Sequence, residues 1–182
     1  MRAVHFVVGA AVRSSALLVA ALLALGVLAP AAAGAGLLAV VVGCWLLVRA
    51  LRRRGGAPAL GPADVVTLVR LVLVGVVVAL VVDPYAGGST HGVAVAAVSL
   101  VVILLDGVDG RVARATGTAS ELGARFDMET DAFLILVLSV FVAALLGPWV
   151  LLIGLARYLF VAASWALPWL RESSPPRYWC KV

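Results

Sequence analysis

Asp106, Asp109, Asp127 and Asp131 are the residues of this chain whose type and spacing best suit chemistry. From Asp106 the sequence reads D-G-V-D-G-R-V-A-R, then eight residues, then G-A-R-F-D-M-E-T-D. At 100° per residue, Asp106, Asp109, Gly110 and Ala113 fall within an arc of about 100° on one helix. Gly123, Asp127 and Asp131 are spaced four apart and form a stripe along the next helix. Glu129 lies about 160° from Asp131 on that helix and is expected to face elsewhere. Four carboxylates aimed at one point repel one another unless cations lie between them. All-oxygen ligation suits magnesium or manganese, and two such ions about 3.5–4 Å apart can clamp a phosphate between attacking and leaving oxygens. Gly110, Ala113 and Gly123 lack bulk and permit close approach of a helix or of a ligand. Arg114 offers a fixed positive charge for a pyrophosphate. The plainer reading of the same residues is a set of interfacial ion pairs, Asp109 with Arg114 and Arg125 with Glu129.

The elements that must carry these side chains are set by composition. Hydrophobic residues make up 64% of the 182, charged residues only 13%, and the mean hydropathy is +1.17. A soluble domain of this size needs more polar surface than that. Apolar runs of roughly bilayer-spanning length recur along the chain, and the alternating strands of a barrel are missing, so the fold class is all-α. The expected architecture is a polytopic bundle of about six spans, near Ser14–Ala31, Ala33–Ala50, Asp64–Val82, Gly92–Gly110, Ala124–Leu146 and Pro148–Leu167.

Orientation follows from the basic residues. Arg2 and Arg13, then Arg49 and Arg52–Arg54, then Arg111, Arg114 and Arg125, then Arg171, Arg177 and Lys181 mark alternate ends of the spans. The connections Pro30–Gly36, Asp83–His91 and Gly147–Pro148 carry no Lys or Arg. By the positive-inside rule both termini, and the acidic motif, are cytoplasmic. The net charge of +5 is therefore read as membrane-facing and not as a nucleic-acid surface. Arg2, Arg13 and the small residues Ala31–Ala33 also fit a cleavable secretory signal, a reading that leaves the rest of the topology intact. Cys44 and Cys180 show no metal-ligand spacing. The organisation expected is a membrane hairpin over residues 1–51, a Gly- and Pro-bearing linker over 52–62, and the acidic unit over 63–182.

The stretch Asp106–Asp131 resembles the signature of the CDP-alcohol phosphotransferase family, D-x2-D-G-x2-A-R-x8-G-x3-D-x3-D, with every fixed position matched over 26 residues. The resemblance implies a membrane enzyme of phospholipid synthesis with a di-metal site. It transfers a substituted phosphate from a CDP-alcohol, CDP-diacylglycerol in the leading reading, to an acceptor alcohol and releases CMP. Carried over by position, Asp106, Asp109, Asp127 and Asp131 are metal ligands and Asp131 is also the general base. Gly110, Ala113, Arg114 and Gly123 border the nucleotide. Asp64-Val-Val-Thr67-Leu-Val-Arg70 looks like the start of the family's first core helix, which adds Asp64 and Thr67 to the nucleotide side; otherwise Asp64 is an N-cap and Arg70 snorkels to the headgroups.

Arg157 lies mid-span, a costly place for an unpartnered charge. In relatives a basic residue there can meet an acceptor phosphate; pairing with a carboxylate is the alternative. His91 falls in a loop and reads as solvated. The resemblance also implies a six-helix core. Counted from the third span this chain supplies four, so the expectation is a core shortened at its C-terminal end, with an inactive fragment among the readings. A homodimer is compatible with the family. An ion or proton transporter is the rival function for intramembrane carboxylates.

Overall fold

The structure, a computed structural model, describes residues 2–53, 62–116 and 121–167, with side chains described over 8–49, 66–107, 125–164 and at 167. Six α-helices follow one another: α1 (Arg2–Ala24), α2 (Pro30–Arg53), α3 (Pro62–Val82), α4 (Gly92–Thr116), α5 (Glu121–Leu146) and α6 (Leu151–Ala166). Short 3-10 turns at Asp83–Ala86 and Pro148–Val150 follow α3 and precede α6. The all-α class read from the sequence holds.

Helix α3 is the axis of the molecule and packs against α1, α2, α4 and α5, whereas α6 packs on α5. From Leu71 to Val82 its sequence is apolar around its whole circumference, the pattern of a helix enclosed by others. Val74, Val77, Ala79 and Val81 are accordingly buried, together with Val95 and Val102 of α4 and Leu134 of α5. A second cluster joins Val40, Cys44 and Leu47 of α2 to Leu68 and Leu71 of α3. The α2–α3 contact is close because glycines face each other. A Cβ on Gly36 would lie 2.4 Å from the carbonyl oxygen of Gly75, and one on Gly75 would lie 2.4 Å from Val40 Cγ2. Small residues draw membrane helices together in this way. The N-terminal hairpin is thus packed into the bundle.

Outer faces are apolar as well. Leu17, Val93, Leu100, Leu104, Leu146 and Leu152 are all more than half exposed, an unsustainable surface in water. Helices over Pro30–Arg49, Val66–Ala86 and Arg125–Leu146 are long and apolar enough to cross a membrane, and Val8–Ala24, Gly92–Gly107 and Pro148–Ser164 form shorter apolar helices. The chain is an integral membrane protein.

Several boundaries differ from the sequence expectation, the largest being the start of α1 at Arg2 in place of Ser14. Helix α1 ends at Ala24, seven residues short of the expected Ala31. Gly26 takes φ +66°, its N–H donates to Leu23 and that of Val27 donates to Leu22. These are the paired bonds of a Schellman stop, and Pro30 then opens α2 at a position where its missing N–H is not needed. Helices α4 and α5 run to Thr116 and from Glu121, so the expected loop Arg111–Leu122 is largely helical. Arg and Ala at positions 111, 113, 114 and 115 favour helix without extending the apolar run.

Candidate active site

The aspartates come together because of where α3, α4 and α5 meet. Asp106 lies just past the middle of α4, after the apolar face that holds Val95 and Val102 in the core. Asp127 and Asp131, one turn apart on α5, precede Leu134, which packs into the same core. Each of the three offers a carboxylate oxygen within 4.8 Å of the others. They are partly exposed, at 41%, 32% and 40% for Asp106, Asp127 and Asp131, so the group opens to a surface. At that separation each pair of charges repels by about 3 kcal/mol for an effective dielectric constant near 20.

A residue outside the sequence motif answers that repulsion. Arg70 of α3 has a side chain with 0% exposure and reaches all three carboxylates. Its Nη1 lies 2.9 Å from Asp106 Oδ1 and also donates to Asp127 Oδ1, while Nη2 donates to Asp131 Oδ1. The fork of the guanidinium suits several planar acceptors at once. Snorkelling to headgroups, the simpler fate considered for Arg70, does not occur, because the nearest negative charges lie inside the bundle. Two signals for this were in the sequence: a cation eight residues into an apolar span, and an acidic set elsewhere that required one.

Thr67, three residues before Arg70 on α3, is buried. Asp64, Asp109, Gly110, Ala113, Arg114 and Gly123 belong to helices α3, α4 and α5, but they lie outside the residues whose side chains are described. Glu129 faces away from Asp131, as the helical angle requires, and pairs with Arg157 of α6 at 2.5 Å. The expected acceptor-binding residue is therefore held by a carboxylate on the neighbouring helix. Its position is made possible by a close α5–α6 crossing, where a Cβ on Gly154 would lie 2.8 Å from Leu136 Cα.

An apolar cavity of about 580 Å³ opens beside the acidic group, between α2, α3, α5 and α6. Ala39, Val42 and Leu46 of α2 face Phe126 and Phe133 of α5 across it, and Glu129 and Tyr158 give it a polar edge. Phe126 and Thr130 line the cavity while their sequence neighbours Asp127 and Asp131 reach Arg70. Helix α5 thus separates a charged side from an apolar one.

Three carboxylates converging from two helices supply hard oxygen donors of the kind magnesium and manganese prefer, so the donor set fits a divalent cation. No curated protein and no solved structure matched the chain. A family model, CDP-alcohol phosphatidyltransferase, matches residues 60–181, which takes in α3 to α6, Arg70 and the whole acidic group. The match covers well over half of the sequence and falls on the helices that build the site, and the chain belongs to the CDP-alcohol phosphatidyltransferase family.

Proposed function

We propose that this protein moves a phosphatidyl group from CDP-diacylglycerol to the hydroxyl of a small alcohol or alcohol phosphate, releasing CMP, in phospholipid synthesis. The observation that carries the reading is the convergence of Asp106, Asp127 and Asp131 within 4.8 Å on helices matched by the family. Family membership implies the CDP-alcohol donor. The choice of a lipid donor is supported by the membrane setting and by the apolar cavity, which offers an acyl chain room beside the acidic group.

In this reading Asp106, Asp109, Asp127 and Asp131 hold two magnesium or manganese ions. Bound there, the ions neutralise the diphosphate and stabilise the charge that develops on it. Asp131 accepts the proton of the acceptor hydroxyl. The acceptor oxygen forms a bond to the phosphatidyl phosphorus as the bond from that phosphorus to the CMP oxygen breaks, and CMP carries away the electron pair. Gly110, Ala113, Arg114 and Gly123, with Asp64 and Thr67, border the nucleotide. Arg157, released from Glu129, meets the phosphate of an acceptor that has one. The acidic group faces the cytoplasm, as the distribution of arginines supports.

The test is metal-dependent CMP release from CDP-diacylglycerol, in membranes containing the protein, over a panel of acceptors. Release that requires both the metal and Asp131 is the expected result, and the acceptor that supports it names the reaction. Release that needs neither, or none from any acceptor, would count against the assignment. Competition by a soluble CDP-alcohol separates a lipid donor from a lipid acceptor.

A further inference from the structure

We propose that Arg70 is the resident cation of the acidic site, and that a divalent ion binds by displacing its guanidinium from the carboxylate oxygens. The proposal rests on the metal-dependent reading above and adds a step to it. The guanidinium touches Oδ1 of Asp106, of Asp127 and of Asp131, the residues whose carboxylate oxygens would have to turn to a metal. A cation ligated at about 2.0–2.2 Å by these oxygens cannot share them with Nη1 and Nη2 at hydrogen-bond distance without facing like charge.

Charge and burial point the same way. Three carboxylates with one guanidinium keep a net charge of −2, so Arg70 relieves the repulsion without abolishing the attraction for a divalent ion. Its side chain has no contact with solvent, and α3, the most enclosed helix, fixes its base. It therefore acts as a tethered competitor: present at every site, always charged, and able to hold the three carboxylates in register before metal arrives. Arg70 is a positioning residue in this scheme, acting on the carboxylates.

The probe is Mn2+ alone, titrated into the full-length protein in detergent and followed by the electron paramagnetic resonance of the free ion. Asp131→Asn marks the site by weakening binding. Arg70→Gln is expected to bind Mn2+ about tenfold more tightly than wild type, since the competing charge is gone. Without metal the same variant is expected to melt below wild type and to recover more on Mn2+ addition. Arg70→Lys, which keeps the charge but loses the fork, falls between the two. Methylguanidinium added to Arg70→Ala weakens Mn2+ binding towards the wild-type value.

Should Arg70→Gln fail to fold even with Mn2+ present, Arg70→Lys decides the matter. Affinity in Arg70→Lys equal to or below that of wild type overturns the proposal, as does unchanged or weaker binding by a folded Arg70→Gln. Absence of saturable Mn2+ binding in wild type and variants overturns it together with the metal site. Tight, Arg70-sensitive Mn2+ binding without CMP release leaves it standing and removes only the transferase reading.

Discussion

Asp83 and the Asp106–Asp127–Asp131 group lie near opposite ends of the same bundle, about 20 Å apart along the α3 axis, and their charges are answered in different ways. Asp83 is 1% exposed. Its Oδ1 accepts from the N–H of Ala29 at 2.6 Å, and its Oδ2 accepts from the N–H of Ser89 at 3.0 Å and lies 3.1 Å from His91 Nε2. One carboxylate is met by several donors, two of them fixed in the backbone. At the other end the carboxylates outnumber the cation three to one among the described side chains. The first arrangement is closed, and a ligand has nothing to add. The second holds excess negative charge at a partly open surface, which is the condition of a site that takes up cations.

The difference predicts opposite responses to neutralising one carboxylate. Asp131→Asn is expected to lower CMP release by about 10²- to 10⁴-fold, the usual range for loss of a general base. The same change removes a repulsive partner, so the metal-free protein should melt no lower than wild type. Turnover and thermal unfolding measured on one preparation check both halves. A large drop in melting temperature would place Asp131 among the structural acids with Asp83.

Asp83→Ala should act the other way. It leaves the part-buried backbone N–H of Ala29 without its acceptor, a loss of about 1–3 kcal/mol, whereas Ser89 is exposed and water can take the place of its acceptor. Asp83 joins the turn between α1 and α2 to the loop between α3 and α4, so the N-terminal hairpin should loosen first. Limited proteolysis should cut near Leu25–Ala29 before any other described loop. Per-molecule CMP release by the fraction still folded should stay near wild type, and a hundredfold loss would mean that the two ends are coupled. His91→Ala, which removes one donor and leaves the backbone pair, should give a milder version of the same pattern.

What could be read beforehand divides along the same line. The acidic motif was legible because its residues lie on two consecutive helices, where spacing in sequence translates directly into direction in space. Arg70 and Asp83 were not, since each is paired with residues distant along the chain: Arg70 with Asp127 and Asp131, 57 and 61 positions away, and Asp83 with Ala29, 54 away. No periodicity encodes that. His91 reads as a solvated loop residue although Asp83 is only eight positions away, because the turn that brings the two together has no periodicity to reveal it. The end of α1 was encoded, with Gly26 and Pro30 in the order that stops one helix and starts the next. An apolar run continuing to Leu28 hid it, because hydrophobicity marks burial in the membrane and not the path of the backbone.

The smallest effect expected concerns Arg157, where the comparison can be sharpened most. Its pair with Glu129 is partly exposed on both sides, at 32% and 55%. Such a pair contributes about 0.2–1 kcal/mol, so Arg157→Met should lower the melting temperature by only about 1–4 °C. If Arg157 serves the reaction, the larger consequence appears in KM for an acceptor that bears a phosphate, raised about tenfold by loss of one charge-assisted contact. KM for an acceptor without a phosphate should not move. Glu129→Gln, which frees Arg157, should lower the first KM and leave the second alone. Equal KM values for both acceptors in both variants would assign Arg157 to the α5–α6 contact alone, making its pair with Glu129 a closed arrangement of the kind Asp83 forms.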